Sequence, residues 1–231
     1  MGNSKKTLVS YQWTILKIFL LLVPFGITGG CALPGPSFGF ASWQEEILLH
    51  DGQLVIADRQ QSYGRKITLD SREGAVLSER WAFPIPGTPH KIVWRANFKT
   101  VPEGEQLMVL LYGYVNGRAY IATSPAGCIS YNHWGRPNPP YVFFRYETEQ
   151  WKRIYVGEFP VELNQINVMV GLPDQKNRSG LISVQRITEN NRDLQSPHKA
   201  ILREPFERAG AWCPDFNSER YTSPKAPKTI Q

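Results

Sequence analysis

Apolar and polar positions alternate with a period of two through much of the middle of this chain. That is the signature of strands with one buried face. The clearest case is "EEILLHDGQLVIADR" at 45–59. Asp51-Gly52 suits a two-residue type I′ turn, whose central residues both need positive φ. This register pairs His50 with Gln53 and Leu49 with Leu54, and puts Ile47, Leu49, Leu54 and Ile56 on one core-facing side. Glu45 and Glu46 then point to opposite faces. A second hairpin, "VLLYGYVNGRAYIAT" at 109–123, turns at Asn116-Gly117 and aligns Tyr112 and Tyr114 with Ala119 and Ile121.

Four further segments read as strands in pairs. "AVLSERWAF" (75–83) and "KIVWRANF" (91–98) flank the stiff loop "PIPGTPH". "YVFFRY" (141–146) and "WKRIYV" (151–156) flank "ETEQ", and "INVMV" (166–170) adds one more strand. A single helix is expected near the C-terminal side, capped by Ser179. Val184, Ile187, Asn191 and Leu194 recur at helical spacing, and the helix stops before Pro197. Many short antiparallel strands with frequent turns predict a mainly β fold, an antiparallel sandwich or an open barrel-like sheet carrying that one helix.

The N-terminus follows a different pattern. Lys5 and Lys6 precede an apolar stretch whose uninterrupted part is Ile18–Ile27, followed by "TGGC" at 28–31. Ten residues make about 15 Å of helix at 1.5 Å per residue, half of the roughly 30 Å hydrocarbon core. A basic start, a short apolar middle and a small-residue end is the layout of a secretory signal. "TGGC" resembles the lipobox of bacterial lipoproteins, with Gly29 and Gly30 at the small positions and Cys31 at the lipidated one. Thr28 departs from that pattern, where an aliphatic residue is usual. The resemblance implies a signal peptide over 1–30, cleavage before Cys31 and acylation of Cys31. Ala32 in the following position implies an outer-membrane lipoprotein facing the periplasm. A plain signal peptide cut elsewhere and an uncut signal anchor are the alternatives. "ALPGPSFGFAS" then reads as an uncharged flexible tether, giving a lipidated cysteine and tether over 31–42, one β-rich domain over 43–216 and a mobile tail over 217–231.

Charge and cysteine count sharpen this layout. The net charge is +6, but residues 1–30 hold three lysines and no acid, so half of it belongs to the leader. The remainder has no concentrated basic footprint, which argues against nucleic-acid binding. Of the three cysteines, acylation of Cys31 would leave Cys128 and Cys213, which an oxidising periplasm would pair. Two buried thiols that never meet are the alternative.

The densest unusual stretch is "CISYNHWGRPNPPYVFF" at 128–144. Its loop offers Tyr131, His133, Trp134, Arg136, Asn138 and Tyr141 on a proline-braced frame, which loses little entropy on binding. Aromatic and polar groups so mixed suit a sugar ring or a partner's pocket. In the structural alternative Trp134 plugs the core and Arg136 bonds loop carbonyls. "SYNHWGRPNPPYVFF" followed by W-x-R-I resembles a family of uncharacterised proteobacterial envelope proteins, over roughly 43–213. The resemblance implies a bacterial, exported protein and no particular activity.

Catalytic and cofactor motifs are missing from the sequence: there is no G-x-S-x-G, H-E-x-x-H or P-loop. Histidines 50, 90, 133 and 198 lack metal-ligand spacing. Ser124, near His133 in sequence, is a weak candidate for a Ser–His pair. The expectation is a lipid-anchored envelope protein with a β-rich binding or interaction domain, no cofactor and no metal. Its partners would be the membrane, through the lipid, and an envelope protein, a glycan or a secreted effector. A hydrolase with a site assembled from distant residues and a purely structural lipoprotein are the alternatives.

Overall fold

The computed structural model describes residues 39–64, 76–98, 107–171, 180–205, 207 and 213–215. The leader, Cys31, the tether up to residue 38, Ser179 and the tail at 217–231 lie outside them. Among the described residues nine strands run in order: β1 Gly39–Leu48, β2 Leu54–Tyr63, β3 Val76–Pro84, β4 Lys91–Asn97, β5 Leu107–Val115, β6 Arg118–Pro125, β7 Val142–Glu147, β8 Gln150–Ile154 and β9 Leu181–Ile182. Helix α1 is Cys128–His133 and helix α2 is Val184–Asn191. The strands form two sheets, β4-β3-β2-β1-β9 and β5-β6-β7-β8, and neither closes into a barrel. All pairs are antiparallel except β1 with the two-residue β9. The mainly β expectation holds, in its sandwich form.

The inner faces of the two sheets share one core. Trp81, Phe83 and Trp94 from the first meet Tyr112, Phe144 and Trp151 from the second. Phe83 stacks on Tyr112 at 4.4 Å between ring centroids. The second sheet is buried on its other face too, where Leu110, Tyr120 and Phe143 pack against Phe159, Leu163 and Ile201. The chain after β8 therefore forms a third layer.

Three sequence readings need correction. The β1–β2 turn holds three residues, because Leu49 N bonds Gln53 O at 2.8 Å and Leu48 pairs with Leu54. Asp51 Oδ1 accepts the Gln53 N–H at 3.0 Å, and Gly52 alone takes positive φ, at 85°. The side chain of Asp51 closes a bulged three-residue loop in place of the expected type I′ turn. One extra loop residue inverts every side chain of β2. Val55 and Ala57 are inside, while Leu54 and Ile56 are 50% and 40% exposed. Secondly, β1 begins four residues before Trp43, and Ala41 is already buried. Thirdly, 166–170 is no strand. Asn167 serves a strand's purpose with its side chain: Oδ1 accepts Tyr112 N–H at 3.0 Å and Nδ2 donates to Tyr112 O at 2.8 Å and Leu48 O at 3.1 Å. An amide matched to both backbone groups of one residue covers the β5 edge. The Asn116-Gly117 hairpin forms as expected, with Tyr112 opposite Ile121 and Tyr114 opposite Ala119.

The inverted β2 buries Arg59. Trp43, Arg59, Trp81 and Trp94 form one row across four strands, and the guanidinium lies 5.1 Å and 4.4 Å from the flanking Trp43 and Trp81 rings. It reaches Glu45 at 3.0 Å, Glu79 at 2.6 Å and Met169 O at 2.8 Å. The hydrogen-bonded shell continues through Trp43 Nε1 to Glu45, Gln61 Nε2 to Glu79, and Tyr63 Oη to Gln61. The two carboxylates hold the arginine's pKa above its ordinary value against the opposing effect of burial.

Removing one partner of a buried ion pair leaves uncompensated charge, at a cost of about 3–5 kcal/mol. Arg59→Ala is expected to lower unfolding stability by that amount in urea titration. Replacing Arg59, Glu45 and Glu79 together by apolar residues of similar volume should recover most of the loss. An unchanged midpoint for the single variant would refute the arrangement.

Candidate functional site

The aromatic stretch is built into the fold rather than held out from it. Its first part is helix α1, capped at its start by backbone alone. Trp134 is 1% exposed and stands edge-on to Phe144 at 5.8 Å. Tyr131 is buried beneath the Arg136 guanidinium, 5.2 Å from its ring. Arg136 donates to Pro214 O at 3.1 Å and Cys213 O at 3.2 Å. His133 lies half-buried against Trp134, and Asn138 is exposed.

Tyr141 faces another way. Its hydroxyl lies 2.6 Å from Pro197 O and 2.9 Å from Ala200 O, and accepts the Leu202 N–H at 3.3 Å. Burial pushes its pKa up to about 12. The six candidates are thus divided. Arg136, seated over the Tyr131 ring, clamps the 213–214 segment together with Asn132, Trp134 fills the core, and Tyr141 fastens residues 197–202. Cys128 and Cys213 form a disulfide with their Cα atoms 5.1 Å apart, which reinforces the Arg136 clamp.

None of those six lines a cleft of about 860 Å³ that opens among the described residues at the far end of β1. Its walls come from the β1–β2 turn, residues 162–167, helix α2 and residues 199–200. Each wall has a local cause. Ser183 caps α2 by accepting the Arg186 N–H at 3.3 Å, so the cap is Ser183 where Ser179 was expected. The Glu46 carboxylate accepts Val184 N–H at 3.1 Å and ties the helix start to β1. Asn191 bonds Val168 O at 2.8 Å and Val170 N at 3.1 Å, fixing the helix end to the 166–170 segment. Leu163 lies directly on Gly113 of β5, where any β-carbon would collide with it. Glycine at that position lets the 162–167 wall approach the sheet.

Sequence reasoning missed this site because its polar residues are spread over four segments with no common motif. The faint signals were Asn167 inside an apolar run and Arg192 between the last two positions of the helical repeat.

Ser124 meets a histidine other than the one near it in sequence. Its hydroxyl lies 3.4 Å from Nε2 of His198, while Ser124 itself is only 3% exposed. Burial pulls the His198 pKa below its ordinary value. Among the described residues no group of His, Cys, Asp and Glu is placed to hold a metal ion. No helix there is long and apolar enough to cross a membrane. Comparisons with protein-family models, curated proteins and solved structures returned no match to this chain.

The His198 shift has a defined sign. A histidine whose folded pKa lies below the unfolded value near 6.5 binds fewer protons when folded. Its contribution is therefore complete above about pH 6.5 and is lost as pH falls toward the folded value. Urea midpoints measured from pH 7.5 down to pH 5 are expected to decline, and His198→Gln should flatten that decline. A slope identical in the variant would refute the assignment.

Proposed function

We propose that this chain is a lipid-anchored protein of the bacterial cell envelope whose sandwich domain binds a ligand in the cleft at the β1–β2 turn. The observation that carries the binding reading is the cleft itself. Its volume falls within the range of roughly 300–1,000 Å³ typical of ligand pockets. Its walls are fixed by side-chain bonds to backbone, so little ordering is required on binding. The anchor rests on Lys5, Lys6, the short apolar run and "TGGC" ending at Cys31. The Cys128–Cys213 disulfide supports export, since such bonds persist in oxidising compartments. The proposed location is the outer membrane, facing the periplasm.

A hydrolase reading has one observation in its favour, the approach of Ser124 to His198 across 74 residues of sequence. The serine is closed off from solvent, and the binding reading is the better supported.

Two measurements test the proposal. Intact mass of the membrane-extracted protein should show a mature N-terminus at Cys31 with added acyl chains; an unprocessed Met1 would overturn the anchor. A photoreactive amino acid placed at Thr188, in the cleft wall, should capture a ligand in cells, whereas the same group at Asn138 should not. Capture at Asn138 alone would move the site to the aromatic stretch. Silence at both positions would favour the purely structural alternative.

A further inference from the structure

The lining of the cleft says what it would hold. No phenyl, phenol or indole ring lines it, so the stacking platform used for sugar rings and nucleobases is missing among the described residues. The inner walls are aliphatic: Leu49, Leu111, Leu163 and Ile187, all buried. At the mouth stands Leu48, 46% exposed, directly opposite Leu54 on β2, with Ile56 two residues further along the same outer face. An apolar strip therefore runs from the mouth onto the sheet surface. Isolated exposed leucines need no explanation, but a strip leading into a cavity does.

Several polar groups in the walls are already committed. The Asn167 and Asn191 amides bond backbone, and Thr188 Oγ1 donates to Val184 O at 2.9 Å. Two cations on the rim are not. Among the described residues neither Arg192 nor Lys199 forms an ion pair. Glu162, the one carboxylate on the wall, lies in the field of Arg203. Arg203 in turn donates to the carbonyls of Val156, Phe159 and Pro160.

We infer that the cleft takes an aliphatic chain ending in an anionic head, with the chain against Leu49, Leu163 and Ile187 and the head between Arg192 and Lys199. The inference rests on the cleft being the binding site. A carboxylate and a phosphate head offer the same chemistry: a guanidinium binds either one bidentately, and an ammonium pairs with either as a point charge.

The test is titration of the full chain, methyl-labelled at leucine and isoleucine, with four eight-carbon probes: octanoate, octyl phosphate, octanol and octylamine. Octanoate or octyl phosphate should shift the methyl signals of Leu49, Leu163 and Ile187 and bind at least tenfold more tightly than octylamine. The R192Q/K199Q double variant alters only exposed side chains. It should weaken the anionic probes at least tenfold and leave octanol unchanged. Whichever anionic probe binds better identifies the head. If octanol or octylamine binds as well as the anions and moves the same methyl groups, the anionic assignment is overturned while the cleft stands. If no probe moves those methyl groups, the aliphatic-chain assignment falls, and Thr188 photocapture then decides separately whether the cleft is a site at all.

Discussion

The sandwich is organised around a guanidinium placed where an apolar side chain would ordinarily sit. Arg59 bonds carboxylates from the strands on either side of its own and a carbonyl from the 166–170 segment, so one side chain joins three strands and the third layer. Slipping β2 by one residue would turn Arg59 out to solvent and leave Glu45 and Glu79 in the core without their cation. Such a slip is far costlier than one that merely exchanges valine for leucine. The tryptophans on both sides supply ring faces to the same cation. In this protein a buried charge serves as a register key.

From that key the cleft follows in steps. Arg59 donates to Met169 O, and Glu45 accepts the Met169 N–H at 2.9 Å, so the backbone of residue 169 is gripped from both sides. The neighbouring Val168 enters the core, and Asn167 reaches the β5 edge. Residues 162–166 are thereby laid over Gly113 to make one wall, while Asn191 draws the end of α2 against the other side of the same segment. The pocket is a by-product of how the third layer is pinned. The charged side chains of its rim, Arg192 and Lys199, by contrast form no ion pair among the described residues.

Much of this architecture was legible in the chain. The strand pairs, the Asn-Gly turn and a helix through Val184, Ile187 and Asn191 follow from local pattern, although the helix is shorter than its expected span from Ser179 to Pro197. The pairing of Cys128 with Cys213 was reached by cysteine count, with two separate thiols as the alternative. Failures occurred where a side chain replaced backbone. Asp51 closed a turn that glycine was expected to close, and Asn167 imitated a strand inside what read as one. Arg59 was the deeper miss. The inside–outside pattern of β2 depends on its register, and its register depends on one loop residue, so a single error there inverted the whole strand. The aromatic stretch misled for a related reason. Composition makes it look like a binding loop, while Trp134 and Tyr141 are turned inward by packing that no local pattern reveals.

The length of β1 sets a distance with its own consequence. The ten residues of β1 carry the chain from Gly39 to the cleft mouth at Leu48, about 30 Å at 3.2–3.4 Å per residue. The first described residue of β1 and the cleft mouth therefore lie at opposite ends of one strand. Chain arriving upstream of Gly39 and a molecule arriving at the cleft would meet the sandwich a strand's length apart, so an attachment at the one end would leave the other unobstructed.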